Sequence, residues 1–249
     1  MKDHGLRDLL AHPDRDKVEQ GLELLRTLDD PALDSALAGK AHVDADGRVV
    51  SELPVDVTLV LLARSTARSA VSLDLSFSKL RFLDLSGWDR VAELSVQGNP
   101  ELKRLKSLPP RLVELRVDDT PLGELPLLPQ LKRLSASGCT SLQLGRLPNS
   151  LESLSLQRAF LTSVPTNLPR LEILELDGTM IRLLGQELAG LPRLCRLSLA
   201  NTPLTRIYEP GITQHSALRA LDLRNTPYAR SGQVARLRRS THPLLRIEA

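Results

Sequence analysis

Any catalysis or metal binding in this chain would rest on two cysteines, five histidines and scattered carboxylates. Cys139 and Cys195 share no C-x-x-C spacing, and His4, His12, His42, His215 and His242 stand singly, none at ligand spacing from a cysteine. A cysteine nucleophile needs a base within hydrogen-bond reach, and the sequence offers no candidate. Phosphate-loop, dinucleotide, zinc-protease and G-x-S-x-G motifs are all missing. The expectation is a protein that is not an enzyme and needs no cofactor or metal. The remaining chemistry is recognition, carried by polar side chains at regular spacing. The candidates are Glu114, Arg116, Asp118, Arg133, Ser135, Ser155, Gln157, Glu175, Asp177, Arg196, Asp222 and Arg224.

These residues recur because leucines recur. The pattern L-x-x-L-x-L-x-x-(N/C/T)-x-L, met with substitutions, begins at Ala70 and is seen eight times up to Tyr228. Its fourth position falls on Leu73, Leu94, Leu115, Leu134, Leu154, Leu174, Leu197 and Leu221, in steps of 19 to 24 residues. The L-x-L centre alternates with period two, the mark of a strand buried on one face. One strand cannot bury its leucines alone. Stacked coils line the strands into a parallel sheet and the leucines into a continuous core. Each fully buried leucine there contributes about 1.5–3 kcal/mol. The fold class expected is therefore an α/β solenoid, an arc with its parallel sheet on the concave face and a mostly extended convex side.

The residues between the leucines then face solvent. One column reads Asp74, Ser95, Arg116, Ser135, Ser155, Glu175, Ser198, Asp222; the next reads Ser76, Gln97, Asp118, Ser137, Gln157, Asp177, Ala200, Arg224. Eight strands span about 34 Å, ample for a standard interface. Two charge clusters stand out: Glu114, Arg116, Asp118 and Arg133, and Glu175, Asp177, Arg196 and Arg224. Glu114 and Arg133, on adjacent strands, are expected to pair. Phe77, Trp88 and Phe160, near strand edges, are rival anchors for a partner that core or cap packing explains equally well.

The ninth position turns the chain out of the strand. Asn99 can satisfy backbone groups on both sides of that turn, and Thr120, Thr179, Thr202 and Thr226 can still bond backbone. Cys139 and Ala159 bond weakly or not at all, so irregular turns are expected there. Leu80–Leu85 imitates the template but is too short for a coil, and is assigned to the return side. Return segments such as SLPPRL and RLPNSL contain proline and should be extended. The longer LGQELAGLPRL and YEPGITQHSAL can hold a helical turn.

Three regions follow: a helical N-terminal cap over 1–69, repeats over 70–228, and a helix-strand C-terminal cap over 229–249. Val18, Leu22, Leu25 and Leu28 lie at helical spacing behind Asp14, and residues 54–69 read as a capping helix or a strand, the helix being favoured. Residues 231–240 read as a helix and LLRI as a final strand. The net charge of +3 is uneven, since residues 1–40 carry −3 and residues 228–249 carry +4. The basic pI thus reflects a tail, with Arg236, Arg238 and Arg239 on the solvated face of a capping helix, which argues against nucleic acid. The N-terminus lacks an apolar signal core, and no apolar run is long enough to insert in a membrane. A cytoplasmic protein is expected. The two cysteines would lie three coils apart, about 14 Å, beyond disulfide reach.

Between residues 108 and 168, the stretches LPPRLVELRV, ELPLLPQLKRL, RLPNSLESLSL and VPTNLPRLEIL resemble the short LPX-type leucine-rich repeats of secreted bacterial effectors. SGCTSLQLGRLPNSLESLSL is similar to the C/T-type repeats of plant intracellular immune receptors. The resemblance covers about residues 70–228 and implies the fold. The catalytic cysteine domain of the ubiquitin-ligase effectors and the nucleotide-binding domain of the plant receptors have no counterpart here. The function implied is binding of a protein partner on the concave face, with small molecules disfavoured. The alternatives are a secreted effector or toxin-associated protein, and a non-catalytic subunit of an enzyme complex.

Overall fold

Every L-x-L centre forms a short strand that lies beside the next one in the chain. The computed structural model describes residues 41–51 and 69–249, together with Lys17, Gln20, Gly21, Leu59 and Leu62. Strands Ser72–Asp74, Glu93–Ser95, Glu114–Arg116, Arg133–Ser135, Ser153–Ser155, Ile173–Glu175, Arg196–Ser198 and Ala220–Asp222 pair in sequence order, and Arg246–Glu248 completes a nine-stranded sheet. All of its pairings are parallel and in step, so Leu73, Leu94, Leu115, Leu134, Leu154, Leu174, Leu197, Leu221 and Ile247 lie opposite one another. All nine are buried in one continuous core. A slip of one residue would turn that whole column toward water, which is why the register is the same in every coil.

The ladder continues past the leucines into the turn. Leu75 N donates to Ser95 O, and Phe77 N to Gln97 O, with equivalents along the sheet. The eighth template position is left-handed in every coil. Gly98, Gly138 and Gly178 occupy it in three, while Phe77, Asp119, Arg158, Asn201 and Asn225 hold φ between +52° and +60°. Left-handed backbone is uncommon for residues with a Cβ. Here the bond from its own N–H to the next coil holds it in place from Phe77 to Asn201.

The ninth position lies under that turn, buried. Asn99 Nδ2 donates to Val96 O in its own coil and Leu75 O in the preceding one, and its Oδ1 accepts from Leu80 N. Thr120, Thr179, Thr202 and Thr226 each donate only to the carbonyl three residues back. The expected irregularity at Cys139 and Ala159 does not occur. Both turns keep the backbone bond from the ninth N–H to the sixth carbonyl, at 3.4 and 3.2 Å, as Thr179 does at 3.3 Å. Cys139 Sγ also donates to Val117 O in the preceding coil, at 3.0 Å. The backbone ladder sets the turn, and the ninth side chain only tightens it.

On the convex side, Leu83–Asp84 pairs with Leu105–Lys106, which places the Leu80–Leu85 imitation on the return side as expected. Leu183–Leu184 pairs with Arg206–Ile207. The two longer return segments hold a 3-10 turn, Glu187–Gly190, and a one-turn helix, Glu209–Thr213. Residues 142–147 and 162–167 contain neither helix nor strand.

At the N-terminal edge stands a hairpin that the sequence reading missed, Ala41–Val43 against Val49–Ser51. Asp-Gly at its turn was the available signal. Its Gly47 O accepts from Asp74 N at 2.7 Å, joining it to the first strand of the sheet. Leu59 and Leu62 are helical and buried, and Trp88, 0% exposed, donates its indole N–H to Leu59 O. Trp88 is therefore core and no anchor. The helices read in residues 4–38, and most of 54–69, lie outside the described residues. At the other end, helices Pro227–Arg230 and Gln233–Ser240 put Tyr228, Val234 and Leu237 into the core, ahead of the final strand.

Candidate functional site

The concave residues meet as the columns predict, because the in-step register places each beside its counterpart one coil away. Glu114 is the hub of the first cluster. Arg133 Nε donates to its Oε2 at 2.5 Å, and Arg116 reaches its Oε1 with Nε at 2.8 Å and a terminal nitrogen at 2.7 Å. Burial raises the Glu114 pKa, but the hydrogen bonds and charges of Arg133 and Arg116 outweigh it and hold the carboxyl below its ordinary 4.5. Asp222 is likewise half-buried, and Arg224 holds it below its ordinary 3.8 against the opposing effect of burial.

Both carboxylates therefore favour the folded state while ionised. That contribution is present above the unfolded pKa and is lost as pH falls through the depressed folded value. The expected result is a urea midpoint for Glu114→Gln below the wild type at pH 7. The gap should narrow as pH drops below 4.5. A gap that is constant from pH 7 to pH 3 would contradict the pairing.

Two of the candidates turn out to hold the sheet together. Asp118 Oδ1 accepts from Ser135 Oγ and Ser137 N in the next coil, both at 2.6 Å. Asp177 Oδ1 repeats the arrangement with Ser198 Oγ and with Ala200 N. Glu175 accepts from Gln157 Nε2 at 3.0 Å, and Ser137 and Ser155 hydroxyls meet at 3.0 Å. The second cluster does not assemble as drawn from the sequence. Arg224 turns to Asp222 at 2.6 Å and Glu248 at 3.5 Å, on its own strand and the last one. Among the described residues the Arg196 guanidinium has no hydrogen-bond or ion-pair partner, so it is free to meet another molecule.

Residues outside the sequence-based set also belong to this face. Asp46, Asp74, Glu93 and Gln97 line a recess of about 250 Å³ at the N-terminal end of the sheet, bordered by Glu114 and Arg116. Asp46 comes from the hairpin that was missed. Phe77 and Phe160 are 71% and 70% exposed, so core packing does not account for either. The Phe77 ring lies over Gly98, where a Cβ would fall 2.2 Å from a ring carbon, so that glycine leaves room for the ring.

His215 and Cys139 have structural roles. His215 Nδ1 accepts from Leu218 N, which leaves Nε2 to donate to Leu191 O at 3.0 Å. Cys139 is buried, and burial pushes its thiol up, away from the reactive thiolate. Cys195 is exposed. Among the described residues no group of three His, Cys, Asp or Glu could hold a metal ion, and no helix is long and apolar enough to cross a membrane.

No protein-family model and no curated protein matches the sequence. Solved structures do. A Shigella effector LRR domain superposes at TM-score 0.56 with 22% identity, over 72% of this chain and 81% of its own. The Leptospira interrogans LRR protein LIC12759 gives 0.57 with 24% identity, over 78% of this chain and 51% of its own. TLR13, in complex with ssRNA13, gives 0.55 with 22% identity, over 68% of this chain and 26% of its own. The chain thus spans about a quarter of the TLR13 chain and half of the Leptospira chain.

Proposed function

From a leucine-rich-repeat fold we propose that this chain is a non-enzymatic, cytoplasmic interaction module that holds a protein partner against its concave sheet. Leucine-rich-repeat folds are in general protein-interaction modules, and solenoids bind on extended concave surfaces. The observation that carries the reading is the ribbon of nine in-step strands. Its middle is made of small or short polar groups, Ser135, Ser137, Ser153, Ser155 and Gln157, over which a partner backbone can approach closely. Charged side chains flank it, Arg116 and Arg133 on one side, Glu175 and Arg196 on the other. Residues 1–69 and 229–249 serve as caps in this reading.

The test is Arg116→Glu combined with Glu175→Arg. Both side chains reach solvent, so the fold should survive, at the cost of the exposed Arg116–Glu114 pair and of the like charge that replaces it, which circular dichroism and a urea midpoint check. Affinity capture from the cells that make the protein identifies what co-purifies. The double variant should retain about ten-fold less of that protein, equivalent to about 1.4 kcal/mol. Undiminished recovery rules out the concave face, and recovery of RNA in place of protein rules out the protein partner. Likeness to the Shigella effector domain favours a second reading, a bacterial effector acting outside the cell that makes it. Accumulation in culture medium distinguishes the two.

A further inference from the structure

The coils do not close evenly on the convex side. Near both ends the return segments are hydrogen-bonded strand pairs. Between the fourth and fifth coils they stand apart, and residues 142–147 and 163–167 border a cleft of about 1080 Å³. Each wall is tied only to the coil behind it. Gln143 N donates to Gly123 O at 2.8 Å, and Leu168 N to Gly190 O at 3.1 Å. Across the cleft no hydrogen bond joins the walls. The backbone N–H groups of Gly145, Arg146 and Leu147 on one wall, and of Ser163, Val164 and Asn167 on the other, have no hydrogen-bond partner among the described residues; nor do their carbonyls.

We propose that this cleft takes an extended polypeptide segment of a partner protein, at a site separate from the concave face. Both walls carry backbone donors and acceptors without a partner among the described residues, the groups that an extended chain pairs with in strand addition. Six residues of wall are about 20 Å long, room for about six residues of ligand. The side chains narrow the choice. Val164 is buried in the floor, Leu144 and Leu147 are half-buried, and Phe160 stands exposed at the rim, so the segment carries apolar side chains. Among the described residues Arg146 is the one charged side chain lining the cleft, so the segment also carries a carboxylate. A nucleic acid would call for several cations along such a length.

The site can be blocked without disturbing the core. No atom lies within 4 Å of where a Cβ at Gly145 would stand, so Gly145→Phe adds a ring to this wall of the cleft without a clash at its Cβ. Phe160→Ser removes the rim, and Arg146→Glu reverses the charge. The probe is a displayed library of random peptides about twelve residues long, roughly twice the span of the cleft, selected on the full chain. The expected winners carry an acidic residue within an apolar stretch. Their synthetic versions should bind each of the three variants about ten-fold or more weakly, and the concave double variant as well as the wild type. Three results would overturn the proposal: no enrichment, binding unchanged by all three variants, or a dimer of this chain dissociated by Gly145→Phe.

Discussion

Leu154→Ala is expected to unfold at a free energy about 2–5 kcal/mol below the wild type. Leu154 is 0% exposed and lies between Leu134 and Leu174 in the shared column. Its side chain is packed by the coil above, the coil below and the convex wall. The coils above and below cannot collapse into the space without breaking the ladder that sets the strand positions. The loss should therefore include both the transfer of the leucine from water and the unfilled cavity. Chemical denaturation checks it. An unchanged midpoint would mean that Leu154 does not occupy the column, and the concave face derived from that register would go with it.

Asn99→Ala is the second large effect, and its cause is polar. Asn99 is 0% exposed, and its amide serves Leu80 N at 2.9 Å, Leu75 O at 3.0 Å and Val96 O at 2.6 Å. Alanine leaves those backbone groups buried without a partner, at about 1–3 kcal/mol for each one that water cannot reach. A total loss of about 2–4 kcal/mol is expected on that basis. Asn99→Thr should lose roughly half as much, since threonine keeps the bond to the carbonyl three residues back, as Thr120 does to Val117 O. Denaturation of the three proteins side by side checks the order. Equal stability of alanine and threonine would show that the bonds to the preceding coil carry the whole effect.

The two variants probe features that differ in how legible they were. The leucine column was readable because burial imposes a period that the chain must repeat in phase. The ninth position was readable as a turn and Cys139 as a weak donor, but the irregular turn expected there does not form, because a ladder that already fixes the turn places that donor on Val117 O. The left-handed eighth position was signalled by Gly98, Gly138, Gly178, Asn201 and Asn225, yet Phe77 and Arg158 occupy the same conformation and masked the rule. Glu114 with Arg133 was readable from adjacent columns. The grouping of Arg224 with Glu175 and Asp177 failed because two shorter connections, to Asp222 and to the final strand, were available to it.

By itself the sequence determined the solenoid, the parallel sheet, its register and the identity of the solvent-facing columns, because a hydrophobic period near twenty has only one way to bury all its leucines at once. The tertiary structure alone decided which polar side chains remain available. Asp118 and Asp177 close bonds to the next coil while Arg196 closes none, and that depends on neighbours about twenty residues away. It also decided where the return segments part. Their proline-containing sequences are alike, and only the stacking of successive coils determines which of them meet and which leave a cleft.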